Sequence, residues 1–264
     1  MRHSRRRRRP RAVVPPIVVD DTLLAHIRTV IAASPFHGEG HRKIWARLRV
    51  LEQVRTSMRR VLRSRRAADL LAPARQPVPV GAHPHDGTIV TDHPNVMWGP
   101  DATAAVTLTE GTATIFAAID HCTAECVGIH VAKHGHRFEA LEPIRQGVRD
   151  HFGGLAPAAA TGLALRHDHG SVYLSGDFQA EITFLGMTSS PAFVRQPAGN
   201  GCIERFFRTL KEQLLWVRHF ATIEELRQAL FAFKDTYNRE WLIERLGFRP
   251  PAQVRAAFAV RPAA

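Results

Sequence analysis

At 264 residues, 45% of them hydrophobic and 23% charged, the chain can bury one sizeable core plus a small accessory unit and has an ordinary globular composition. No apolar run approaches the roughly 20 residues that span a bilayer, and no apolar stretch follows the basic start as a secretory signal requires. Three cysteines do not make a disulfide framework, so a reducing cytoplasm is expected. The net charge of +12 is unevenly spread: residues 1–75 hold 19 of the 36 Lys and Arg but 5 of the 24 Asp and Glu, leaving 17 and 19 for the rest. An excess of basic side chains in one quarter of the chain suits a polyanion, whose counterions they displace. A solvating tail has the same composition.

In chain order, residues 1–16 are Arg-rich, end in Pro15-Pro16 and are expected to be disordered without a partner. A helical unit is predicted over residues 17–71. Asp20 or Asp21 caps a first helix carrying Leu23, Leu24, Ile27, Val30 and Ile31 at helical spacing, and Ser34-Pro35 stops it. His41 to Val50 gives a second. A third is expected from Val54 to Leu71, with Arg55, Arg59, Arg60, Arg63 and Arg66 along one face. Three short helices with a basic third suggest a helix-turn-helix-like DNA-binding unit, for which Arg55, Arg59 and Arg63 are the candidate contacts. A solvated basic face is the plainer alternative. Residues 72–95, rich in Pro, Gly and His, read as a linker.

A core is expected over 96–218. Thr103–Leu108, Thr112–Asp120 and Cys126–Ala132 read as an antiparallel meander of three strands. Arg137–Phe152 reads as a helix with Phe138, Leu141, Ile144, Val148 and Phe152 near one face. Gly162–Arg166 is a fourth strand, Ser175–Leu185 a short helix, and Met187–Ser189 a brief fifth strand followed by a flexible stretch, Pro191–Gly199. A long helix starts at Gly199 or Asn200 and runs to about Trp216, with Phe206, Phe207, Leu210 and Leu214 inward. The remainder, 219–264, is a C-terminal helical segment in which Thr222 and Glu225 form a capping box. The order predicts an α/β domain on a mixed five-stranded sheet with flanking helices, the order of a ribonuclease-H-like core.

Three acids stand out by position. Asp101 falls before or at the start of the first strand, Asp168 follows the fourth, and Glu204 lies in the first turn of the long helix. First and fourth strands are commonly neighbours in such a sheet, which would let the carboxylates converge. Carboxylate oxygens suit hard divalent cations such as Mg²⁺, which use a few of them together with substrate phosphates. Each acid by itself reads equally well as a surface charge, a turn former or a helix-end charge.

The sequences around the acids are more specific. Trp98-Gly99-Pro100-Asp101-Ala102-Thr103, Arg166-His167-Asp168-His169-Gly170-Ser171-Val172-Tyr173 and Asn200-Gly201-Cys202-Ile203-Glu204-Arg205-Phe206-Phe207 through Lys211 resemble, in order, the three motifs of the integrase-like transposases of bacterial insertion sequences, the type whose catalytic half is encoded by a second open reading frame. The 35 residues between Asp168 and Glu204 match that family's interval. Tyr237-Asn238 and Leu246-Gly247-Phe248-Arg249-Pro250 resemble its C-terminal signatures, so the likeness runs over about residues 20–258. The chain departs from the pattern at His167 and His169, at Val172, and at Gly199, where the family usually has an acid.

The resemblance implies a transposase in which Asp101, Asp168 and Glu204 bind two Mg²⁺ or Mn²⁺ ions for phosphodiester cleavage and strand transfer, with Lys211 and Arg208 near the DNA. It implies a homo-multimer on DNA and an upstream-frame protein or fusion that recognises the element ends. An inactive DNA-binding remnant and a nuclease acting on RNA–DNA hybrids are the competing expectations. A second constellation, His121, Cys122, Cys126, His130, His134 and His136, fits no closed four-ligand zinc spacing and is read as ordinary strand residues. His219 and Cys202 have no assigned role.

Overall fold

A computed structural model describes residues 20–72, 89–191 and 200–259. The Arg-rich start, most of the expected linker and nearly all of the expected flexible stretch 191–199 lie outside the described residues. The chain divides into two compact units at Arg75/Gln76.

In the first unit α1 (Asp21–Ala33) begins where Asp20 Oδ1 accepts the Leu23 amide at 3.0 Å. α2 spans His41–Val50 and α3 spans Met58–Ala67. Leu23, Ile27, Val30, Ile44, Leu48 and Val61 form the shared core. α3 is shorter than expected, for local reasons. Gln53 and Asp69 take positive φ, 54° each, and the Ser57 hydroxyl captures the Arg60 amide at 3.2 Å. Arg55 therefore precedes the helix and does not share its basic face. Two arginines are buried, which helical spacing alone does not announce. Arg47 grips Glu39 through two hydrogen bonds of 2.6 and 3.1 Å, and Arg65 donates to the Glu39 and Leu70 carbonyls.

The second unit runs β1 (Met97–Thr107), β2 (Gly111–Asp120), β3 (Cys126–Ala132), α4 (Arg137–Phe152), β4 (Ala164–His167), α5 (Gly176–Phe184), β5 (Thr188–Pro191), α6 (Gly201–Leu210), a π-helical turn (Lys211–Leu215), α7 (Ile223–Glu240), a 3₁₀ turn (Glu244–Leu246) and α8 (Pro251–Ala259). Its five strands lie in the order β3-β2-β1-β4-β5. β1, β2 and β3 are antiparallel, while β4 and β5 run parallel to β1. This is the mixed, ribonuclease-H-like sheet anticipated from the element order.

β1 starts six residues before the expected strand, because Gly99-Pro100 reads as a break in the sequence. Pro100 nevertheless pairs in register with Ala118. β4 accompanies β1 only at Met97 and Trp98, so Pro100 lies beyond the reach of that strand, where a missing N–H is tolerated. Asp101 is consequently inside the strand, not at its threshold.

Along β2, Phe116 and Ala118 join the core beneath α4, while Ile115, Ala117 and Ile119 point to the other face and are buried as well. Both faces are covered. α4 lies very close to the sheet. A Cβ at Gly147 would come within 2.8 Å of the Trp98 ring, and one at Gly128 within 2.0 Å of the Pro143 carbonyl oxygen. Phe138, expected on the packing face of α4, is 50% exposed; the buried stripe is Ala140, Leu141, Pro143, Ile144, Gly147 and Val148.

α6 contacts β1 and β2, and α7 lies against β3. Phe206 of α6 sits edge-on to Tyr237 of α7, with centroids 5.0 Å apart. Asn238 bonds both the amide and the carbonyl of Cys126, at 2.9 and 3.0 Å, as an added strand would. Leu214, expected inward, is half-buried, because the helix loosens into the π turn at Lys211. The Thr222 hydroxyl caps α7 as expected, but Glu225 returns to the amide of Ala221, not of Thr222. α8 is fastened by Arg255, which pairs with Glu125 and donates to Asn95 Oδ1 at 3.0 Å.

Replacing Trp98, wholly buried at the α4–sheet contact, by Ala should cost about 3–5 kcal/mol in urea denaturation. Phe184→Ala, at a side chain 49% exposed, should stay within about 0.5 kcal/mol of the native chain.

Candidate active site

Asp101 is the fifth residue of β1, half-buried, and its carboxylate accepts the amide of the next residue, Ala102, at 2.8 Å. Asp168 directly follows β4 and is exposed. Its Oδ1 accepts the Gly170 amide at 2.8 Å, closing a tight turn. Glu204 is in the first turn of α6, exposed, where the positive end of the helix favours a carboxylate. Parallel pairing of β1 with β4 and the contact of α6 with β1 bring these three elements together about the central strand of the sheet.

The acids feel one another. The Asp101 carboxyl is pushed up to about 6, first by burial and then by the charges of Asp168 and Glu204, against the opposing pull of the Ala102 amide and Lys211. The Tyr173 hydroxyl, buried and pushed up, lies in the same field, with Asp101 and Asp168 both contributing. His167, one of the residues that departs from the family pattern, is wholly buried. Its Nδ1 faces the Asp168 carbonyl at 2.7 Å, its Nε2 faces Ser189 Oγ at 2.9 Å, and its ring stacks on Tyr173. It braces the loop that carries Asp168. His169 is exposed. Tyr173 closes the second sequence motif, but the motif gave no sign of what its hydroxyl faces.

Lys211 is half-buried where α6 gives way to the π turn and acts electrostatically on Asp101. Arg208 is exposed, but its guanidinium is paired with Glu212 at 3.0 Å. Arg59 and Arg63 are exposed on α3 in the other unit, and Arg55 is exposed ahead of it.

The His/Cys constellation is dispersed. His121 faces the Ile89 carbonyl, His130 and His136 face Glu139, and the Cys126 thiol lies against the Gly128 carbonyl. Burial pushes the thiols of Cys122 and Cys126 up to about 11 and about 12, away from the thiolate that zinc binds. Among the described residues no three His, Cys, Asp or Glu side chains form a ready-made metal cage, the three acids included. The acids do have the oxygen chemistry a hard cation takes, and their mutual repulsion is what a cation relieves.

Comparison with known proteins agrees with this architecture. A family model described as "Integrase core domain" matches residues 185–251, which take in Glu204 but neither Asp101 nor Asp168. The chain is 26% identical over 246 residues to transposase InsD of insertion element IS2A/D/F/H/I/K from Escherichia coli, covering 89% of this chain and 78% of that one. Against transposase InsD of insertion element IS2-9 from E. coli strain K12 the identity is also 26% over 246 residues, with 89% and 77% covered. Among solved structures, a chain of the simian T-cell lymphotropic virus intasome in complex with PP2A regulatory subunit B56 gamma superposes with a TM-score of 0.54 at 18% identity, over 83% of this chain and 77% of that one. That last likeness is one of fold. No helix among the described residues is long and apolar enough to cross a membrane.

Asp101→Asn should stabilise the metal-free protein. A carboxyl raised from about 4 to about 6 on folding opposes folding once it ionises, so the penalty is absent below about pH 4, grows between 4 and 6 and is complete above 6. Thermal melts at pH 8 in chelator should show the variant more stable by on the order of 1–3 kcal/mol, with no difference at pH 4. Added Mn²⁺ should narrow the gap.

Proposed function

We infer that this chain, a relative of the insertion-element transposases built on an integrase core, is a polynucleotidyl transferase that cleaves DNA and joins the freed end to a new site. The single observation that carries the reading is that the charges of Asp168 and Glu204 both bear on Asp101 in the central strand, whose carboxyl is driven up to about 6 chiefly by burial. Concentrated carboxylate charge beside Lys211 suits a site that takes a cation and a phosphate together.

Asp101, Asp168 and Glu204 are the proposed ligands of Mg²⁺ or Mn²⁺. When bound, the metal supplies Lewis-acid activation of the attacking oxygen and neutralises charge on the departing one, most effectively as a pair of ions. The chain's own part is to hold the reactants. β1 supplies Asp101 from a rigid strand, and the His167-braced loop supplies Asp168. α6 supplies Glu204 from its first turn, and the π turn that continues it supplies Lys211, whose charge is proposed to meet a backbone phosphate. No nucleophilic side chain is required, because the attacking groups are water and a 3′-hydroxyl. The exposed arginines Arg55, Arg59 and Arg63 of the helical unit are proposed to grip phosphates, which makes binding steeply salt-dependent without itself specifying sequence. A homo-multimer assembled on the element ends and an upstream-frame fusion partner complete the proposal.

A strand-transfer assay on an oligonucleotide carrying the element end, with Mg²⁺ or Mn²⁺, tests it. Asp168→Asn and Glu204→Gln should each lower the rate roughly a hundredfold or more while DNA retention is kept. Native rates in both variants would overturn the site. Arg59→Ala with Arg63→Ala should weaken DNA binding by a factor that shrinks as salt is raised, and should reduce the salt slope by about two.

A further inference from the structure

Two polar atoms beside the acids are buried without a hydrogen-bond partner among the described residues: His121 Nε2, at the end of β2, and Asn200 Oδ1, at the start of α6. Both approach the same point. A Cβ built on Gly99 would lie 2.8 Å from His121 Nε2 and 2.6 Å from Asn200 Oδ1. They therefore converge on the place in β1 that has no side chain, two residues before Asp101.

Each is held from behind. The His121 amide donates to the Met97 carbonyl at 3.0 Å, and its Nδ1 faces the Ile89 carbonyl at 2.9 Å. A carbonyl requires a donor, so Nδ1 carries the proton and Nε2 is an acceptor. Asn200 Nδ2 donates to the Pro100 carbonyl at 3.4 Å, which directs Oδ1, a second acceptor, toward the same point. Arg245, from the 3₁₀ turn near the C-terminus, brackets the spot. It donates to the carbonyls of His121 and Cys122 at 3.3 and 3.1 Å and reaches Cys202 Sγ, in the first turn of α6, at 3.9 Å. Thus the end of β2, the catalytic strand and the head of α6 are joined by polar contacts four residues ahead of Glu204. Burying two acceptors that meet no donor is unfavourable, and an apolar pair of the same shape would avoid that penalty. Stability does not account for the arrangement; direction does, because polar contacts fix orientation where apolar ones fix only distance.

We propose that His121 and Asn200, meeting over Gly99, are positioning residues for the third acid, seating the first turn of α6 on β1 and so setting the gap between Glu204 and Asp101. The inference rests on the metal-dependent reading of the three acids. Partners of this kind one step behind a ligand are worth about 10–100-fold in metal affinity.

The full-length chain is titrated with Mn²⁺ by electron paramagnetic resonance, and strand transfer is measured in single turnover at saturating DNA. His121→Phe and Asn200→Ala should each weaken Mn²⁺ binding and slow strand transfer about tenfold or more, with DNA affinity unchanged. Melting temperatures should not fall more than about 2 °C below native. His121→Gln, whose amide reaches the place of Nε2, should recover most of both losses. Native Mn²⁺ affinity and rate in the first two variants would overturn the proposal, and so would losses that follow a fall in melting temperature and are not recovered by Gln. Asp101→Asn and Glu204→Gln, run alongside, separate the two readings. If these bind Mn²⁺ as the native chain does, the metal site itself fails. If they lose it while His121→Phe and Asn200→Ala keep it, the positioning role alone fails.

Discussion

Like charges held together need a frame that does not yield. Asp101 cannot retreat from Asp168 and Glu204, because it is pinned in the middle strand of the sheet, paired residue by residue with β2. Three residues earlier in that strand, Trp98 is locked beneath α4 at a contact that excludes even a methyl group at position 147. The close approach of α4 through Gly128 and Gly147 therefore does more than fill the core. It removes the slack by which β1 would otherwise relax away from the repulsion, and a rigid interior transmits strain more readily than it absorbs it.

The chain after α6 belongs to the same frame. Asn238 pairs with both backbone groups of Cys126, and the Tyr237 hydroxyl donates to the Ala124 carbonyl at 3.2 Å. Together they fasten α7 to the β2–β3 turn. Arg245 then returns from the far side of α7 to that turn and to the head of α6. Residues more than forty positions beyond Glu204 thus bear on where its helix begins, and the Tyr-Asn pair noted in the sequence has a mechanical role: it mimics a neighbouring strand.

Much of the fold was legible from local signals. α2, β3 and α4 begin and end where the residue pattern predicted, because local sequence sets each boundary. The errors fell where distant contacts decide. Gly99-Pro100 looks like a break until the sheet shows β4 leaving β1 at Trp98, and the stretch Val54–Ser57 looks helical until Ser57 takes the Arg60 amide. Phe138 has the spacing of a core residue but overshoots the sheet. For the site, the three acids and their order could be read from motifs, and so could Lys211. Tyr173 and Asn200 stand within those motifs, but their roles, like those of His121 and Arg245, could not be read there, since their importance lies in what they face across long stretches of chain. His167, a departure from the family pattern, turned out to brace the Asp168 loop from behind.

Arg255 touching Asn95 has a geometric consequence of its own. The first and last parts of the described catalytic unit meet at one corner, with Asp120 and Glu125 beneath them. The lead-in to β1 and the closing helix α8 therefore share one buried acidic anchor, and loosening either of them loosens the other.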